Sequence, residues 1–143
     1  MADKILIDTN VCLDVILYRQ PFAIPAARIF ELVERGKLEA FVAAHSFDSM
    51  FYIIRKATNT NKAFSLIKLI RKQLKVGEVN SKIIDEALEA GWPDIEDAIQ
   101  YFCAKSSSCS YIITRNASDF WVKNDRSVQI INPMEFLDSY GVG

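Results

Sequence analysis

One histidine, His45, is all this chain carries, and three cysteines, Cys12, Cys103 and Cys109, form no CxxC pair. A two-histidine acid–base mechanism is therefore impossible, and a serine triad would have to use His45 without a GxSxG elbow. The odd cysteine count fits reduced thiols packed as small hydrophobes better than disulfides or a zinc site, so any metal is expected to be held by oxygen. Five glycines build neither a phosphate-binding P-loop nor a GxGxxG fingerprint, which removes support for nucleotide-cofactor chemistry. Apolar stretches such as Ala40 to Ala44 fall far short of the roughly 20 residues of a membrane span. The start Met-Ala-Asp-Lys lacks a secretion signal's apolar core, so a soluble cytoplasmic protein without membrane contact is expected.

Half of the 143 residues are hydrophobic, enough for one domain, 1–143, with a core that needs no staples. The net charge of −1 hides an uneven distribution. No acid occurs from Ser49 to Gly77, where Arg55, Lys56, Lys62, Lys68, Arg71, Lys72 and Lys75 supply cations. From Glu78 to Asp97 the sign reverses, with seven acids against Lys82. A basic surface beside an acidic cluster suits an enzyme that attracts a polyanion and cuts it at a cation site, although a charge run is also what a solvated helix face looks like.

Hydrophobic periodicity predicts alternating strands and helices. Lys4 to Ile7 reads as a buried parallel strand. A helix burying Ala26, Ile29, Phe30 and Val33 stops at Gly36, and a strand follows over Glu39 to Ala43. Ser46 to Lys56 is a helix, and Ala63, Ile67, Ile70 and Leu74 mark another whose other side carries Lys68, Arg71, Lys72 and Lys75. Val76 to Val79 is the next strand candidate, followed by a helix through Ile83 and Ala87 that Gly91-Trp92-Pro93 ends. A helix from near Asp94 is expected to bury Ala98, Ile99, Phe102 and Cys103. Ser110 to Thr114 and Val128 to Ile131 are the last strands, and Pro133 opens a helix through Asp138. The alternation implies a central parallel sheet covered on both faces, a three-layer α/β/α domain.

In such sheets ligands bind beyond the carboxyl ends of the strands. Asp8 ends the first strand, Asn116 and Asp119 follow a later one, and Asp94 and Asp97 share a face of the first turn of a helix. Carboxylates crowded together raise each other's pKa unless a cation intervenes, and an oxygen-only set suits Mg²⁺ or Mn²⁺. Each acid also has a structural explanation. Asp94 and Asp97 resemble a helix cap with its dipole acid, Asn116 and Asp119 an Asx turn, and Asp8 a cap for a helix starting near Val11. His45 reads as a turn or capping residue, and Trp92, Phe120 and Trp121 as packing.

Taken in order, Ile5-Leu6-Ile7-Asp8-Thr9-Asn10, Asp94-Ile95-Glu96-Asp97-Ala98 and Ile112-Ile113-Thr114-Arg115-Asn116-Ala117-Ser118-Asp119-Phe120 resemble the motifs of the PIN-domain family, which includes the VapC-like toxin ribonucleases of bacterial toxin–antitoxin pairs. The resemblance covers nearly the whole chain. It implies a PIN-type fold, Mg²⁺- or Mn²⁺-dependent hydrolysis of RNA, a homodimer and a small antitoxin partner. By position it implies Asp8 and Asp97 as principal metal ligands, Asp119 as a further acid, and Thr9, Asn10, Thr114 and Asn116 as supporting residues. One position departs from the pattern. Where the family places an acid on the helix after the second strand, the best register here puts Ser49, with Asp48 one residue earlier and about 100° round the helix. We expect Asp48 to face the site from a helix starting at Ser46. The alternatives left open are a noncatalytic RNA-binding or partner-binding PIN protein, and a phosphatase-like or receiver-like domain, which would want a second Asp in place of Asn10.

Overall fold

The computed structural model describes residues 2–122, 125 and 127–141. Its centre is a five-stranded, all-parallel sheet in the order β3-β2-β1-β4-β5. The strands are β1 (Asp3–Ile7), β2 (Leu38–Ala43), β3 (Lys75–Gly77), β4 (Tyr111–Ile113) and β5 (Gln129–Ile131). Side chains alternate between faces along a strand, and here both faces are dry: Ile5 and Ile7 enter one core while Leu6 enters the other. That double burial is why β1 reads as an unbroken apolar run.

One face is covered by α1 (Thr9–Ile16), α2 (Ala23–Glu34), α3 (Ser46–Ala57), α4 (Thr60–Gln73) and α7 (Pro133–Ser139), around Ile29, Met50, Ile54 and Phe136. On the other face α6 (Ile95–Ser106) lies against the sheet, with α5 (Ser81–Glu89) packed on α6. Both cores are contiguous with the sheet, which is the three-layer α/β/α arrangement expected. Gly36, at φ +75°, stops α2 in the left-handed conformation that glycine adopts without a Cβ penalty. No helix among the described residues is long and apolar enough to cross a membrane.

Two expectations need correction. The third strand is Lys75–Gly77 rather than Val76 to Val79, because its register, Phe41↔Lys75 to Ala43↔Gly77, runs out where β2 ends. Gly77 is also the point of closest approach to α6: a Cβ there would stand 2.6 Å from Cys103 Sγ. Along α6, Ala98 and Cys103 are buried as expected, but Gln100 and Tyr101 are buried where Ile99 and Phe102 are only partly so. The helix is enclosed on more than its sheet side. Tyr101 lies against Trp92, with ring centroids 5.3 Å apart, and its hydroxyl donates to Asp125 Oδ2 at 2.6 Å.

The chain lays down β1, β2 and β3 in one direction and then crosses back to place β4 on the other side of β1. The carboxyl ends of β1 and β4 thus flank the switch point of the sheet, where open α/β folds place their ligand crevice.

Candidate active site

Asp8 follows β1 at this switch point, and its backbone N–H extends the ladder to Ile113 O at 3.0 Å. It occupies the N-cap position of α1, yet its side chain makes no capping bond. Instead Oδ1 accepts from Gln100 Nε2 at 2.9 Å and Oδ2 from Thr114 Oγ1 at 2.7 Å. The capping explanation of Asp8 therefore fails. A carboxylate with 6% of its surface exposed, clamped by two donors and facing a cavity, is built to be an acceptor held in one orientation. Thr114 is held in turn, since its Oγ1 accepts from the Asn116 N–H at 3.1 Å.

For Asp94 the structural explanation holds: its Oδ1 accepts from the N–H groups of Glu96, at 2.8 Å, and Asp97, at 3.4 Å, at the start of α6. That cap leaves the side chains of Glu96 and Asp97 unused by the helix. Gln100, three and four residues on, falls on the same face and reaches Asp8. Burial first, then the charges of Asp94, Asp8, Asp119 and Glu96, push the Asp97 carboxyl up to about 7. Glu96 is raised as well, by burial and then by Asp8 and Asp94. Asp119 contributes to this crowding from a one-turn 3₁₀ helix, Ala117–Asp119, on which Asn116 takes the N-cap position without a side-chain cap.

A cavity of about 880 Å³ opens here. Asp8, Thr9, Asn10, Asp48, Asp94, Asp97, Asn116 and Asp119 all line it, with Thr114 behind Asp8. Of the pair in question on α3, Asp48 is exposed and Ser49 half-buried, and both border the cavity. Asp48 takes no part in the crowding that raises Asp97. The expected cations lie elsewhere: Lys68, Arg71 and Lys72 of α4 do not line the cavity, and neither does Lys75, which opens β3 rather than continuing that helix and is paired with Glu39, while Arg71 donates to Leu74 O at 3.3 Å.

Four polar lining residues escaped sequence reasoning. Glu96 and Gln100 carried a usable signal, the 96/97/100 spacing that sets them on one face with Asp97. Tyr52 and Arg55, on the α3 wall, could have been found by extending the helix register from Asp48. Asp14 was also missed. It is fully buried below the rim, with Arg19 Nε at 2.9 Å from its Oδ1 and Arg115 Nε at 2.9 Å from its Oδ2. Arg19 Nη2 continues to Asn10 O at 3.1 Å, tying down the first turn of α1, which carries Asn10. His45 stands at the start of α3 without a capping bond. Burial lowers its pKa against the pull of Asp8, and neither ring nitrogen has a partner among the described residues.

The donor set fits a hard cation. Every polar side chain on the acid wall offers oxygen, and two buried oxygens, Thr9 Oγ1 and Gln100 Oε1, have no partner among the described residues. The raised carboxyls record repulsion that a divalent ion would relieve. Among the described residues no three such side chains already converge to ligating distance.

The model of the PIN domain matches residues 4–118. Ribonuclease VapC1 of Aquifex aeolicus (strain VF5) is 20% identical over 144 residues, covering 97% of this chain and 96% of the relative. The fold also resembles the DNA-bound VapBC of Salmonella typhimurium, with a TM-score of 0.69 at 15% identity, covering 93% of this chain and 99% of the other. VapBC-1 of nontypeable Haemophilus influenzae aligns with a TM-score of 0.67 at 18% identity, covering 92% and 98%.

Proposed function

The chain belongs to the PIN-domain family, and from that premise we propose that it is a Mg²⁺- or Mn²⁺-dependent endoribonuclease acting as the toxin of a toxin–antitoxin pair. The observation that carries this reading is the carboxylate wall at the sheet's switch point, where Asp8 is clamped and Asp97 is raised to about 7 by burial and by its acidic neighbours. The ribonuclease named among the relatives supports the reaction, and the VapBC complexes among the structural neighbours support a small antitoxin partner. A homodimer follows from the family resemblance.

Asp8, Asp97 and Asp119 would hold the ion. When bound, it supplies activation of water and neutralisation of phosphoryl charge. The chain's own contribution is orientation. Gln100 and Thr114 fix both oxygens of Asp8, so the carboxylate need not reorganise as charge develops. Asp94 spends its oxygen on the helix start and thereby keeps Glu96 and Asp97 turned to the cavity. Glu96, its carboxyl raised, is placed to take a proton from the attacking water. Asn10 and Asn116 line the cavity as polar contacts for the substrate, Thr9 lines it with a buried hydroxyl, and Asp48 approaches from α3.

The test is cleavage of labelled RNA by the purified chain with Mn²⁺, with Mg²⁺ and with EDTA. We expect cleavage with either ion, none with EDTA, and none from Asp8→Asn. Cleavage that persists in EDTA overturns the metal mechanism. Its absence under every condition turns the assignment toward a noncatalytic RNA- or partner-binding protein.

A further inference from the structure

The cavity has two unlike walls. Asp8, Asp94, Glu96, Asp97 and Asp119 make one side acidic, while α3 supplies Asp48 and Ser49 at its start and then Phe51, Tyr52, Ile53 and Arg55. Arg55 is the one cationic residue lining the cavity among the described residues. Tyr52 keeps 52% of its surface open, and its ring is flanked by the Arg55 guanidinium at 5.8 Å and the Lys56 ammonium at 5.0 Å. Phe51, its neighbour, is locked edge-on against Phe64 of α4, with centroids 4.7 Å apart, which fixes the helix that presents Tyr52.

An exposed aromatic ring with two cations three and four residues along the same helix offers contacts to a ligand that is both aromatic and anionic. A nucleotide is both. We propose that Tyr52 and Arg55 form a nucleotide subsite of the same cavity, in which an unpaired base next to the cleaved linkage stacks on Tyr52 while its phosphate meets Arg55, with Lys56 adding positive field. This inference rests on the ribonuclease reading above. The charge asymmetry argues for it: acids that repel a polyanion require a cationic counter-wall to hold the strand, and base–aromatic stacking supplies affinity that does not depend on base identity. It also moves the substrate contact from the α4 face to α3, because no α4 cation lines the cavity.

The experiment combines protein and RNA changes. Tyr52→Leu, Tyr52→Phe and Arg55→Gln are compared with wild type on a decaribonucleotide cut at a single linkage, and on the same strand with one abasic ribose beside that linkage. Binding is followed by anisotropy of the fluorescein-labelled strand, and cleavage with Mn²⁺ is resolved into kcat and KM. Tyr52→Leu is expected to weaken binding and raise KM on the order of tenfold with little change in kcat, whereas Tyr52→Phe retains affinity. Removing the base should cost wild type the same factor and the Leu variant almost nothing, a coupling that a merely structural role would not produce. Arg55→Gln should lower the salt slope of binding by about 0.7. If Tyr52→Leu binds and cuts as wild type while Asp8→Asn abolishes cleavage, the subsite is refuted and the ribonuclease reading stands. If wild type neither binds nor cuts RNA with Mn²⁺, both fall.

Discussion

Replacing Asp97 by Asn should stabilise the ion-free protein, by an amount that grows from about pH 4 and is complete above neutral pH. In the folded chain this carboxyl is raised from an ordinary 3.8 to about 7, by burial first and then by Asp94, Asp8, Asp119 and Glu96. Between those two values the folded state keeps a proton that the unfolded chain has already shed, so stability falls as pH rises through that window and stays low above it. A gap of about three pH units corresponds to about 4 kcal/mol as an upper limit. Asp97 is only partly buried, and solvent screening reduces the effect to about 1–2 kcal/mol. For a chain of this length that is a melting-point difference of roughly 3–6 °C. Thermal unfolding in EDTA should therefore show Asp97→Asn melting higher than wild type at pH 8, with the two nearly equal at pH 4.5. Adding Mn²⁺ should close or reverse the gap, because the ion relieves in the wild type what the substitution removes. A difference that is the same at both pH values, or a variant less stable than wild type at pH 8, would refute the crowding argument and return Asp97 to a structural role.

Three further outcomes are expected. Asp48→Ala should weaken Mn²⁺ affinity or activity while Ser49→Ala does little; increased cleavage by Ser49→Glu, with Asp48→Ala unchanged, would reverse that assignment. Gly77→Ala should cost about 1–3 kcal/mol in urea unfolding, since its Cβ would meet Cys103 Sγ at 2.6 Å, and Cys103→Ala in the same chain should recover most of the loss. Charge reversal at Lys68, Arg71 and Lys72 of α4 and Lys75 of β3 tests whether this side of the molecule contacts RNA beyond the cavity: each lost phosphate contact lowers the salt slope by about 0.7–0.9, and an unchanged slope means a solvated face.

Much of the fold was legible because dry strands are written as apolar runs. Ile5-Leu6-Ile7 has no other reading once both its faces are covered. The acids were legible as spaced motifs, and the structure brings Asp8, Asp94, Asp97 and Asp119 to one cavity. What was not legible depended on partners distant in sequence. Gln100 is a polar residue on a buried helix face, and its meaning appears only when Asp8, 92 residues away, receives its hydrogen bond. Asp14 is a buried acid whose counter-charges, Arg19 and Arg115, come from two different loops. The cations of α4 were visible as a run of charge, but the direction a helix face points is set by packing. The third strand was misplaced because its length is dictated by where β2 stops.

The two donors that clamp Asp8 stand 92 and 106 residues after it, and the strand beside β1 is contributed by Tyr111–Ile113. A growing chain therefore carries Asp8 for more than a hundred residues before both of its donors exist. At about 5–20 residues per second, that interval is on the order of ten seconds. Through it the first strand has β2 on one side and nothing on the other, and the acid wall does not exist. A chain that stops between α3 and β4 would carry Asp8 and the α3 wall without Thr114 or the strand beside β1, so the acid wall is assembled only once β4 and the residues after it exist.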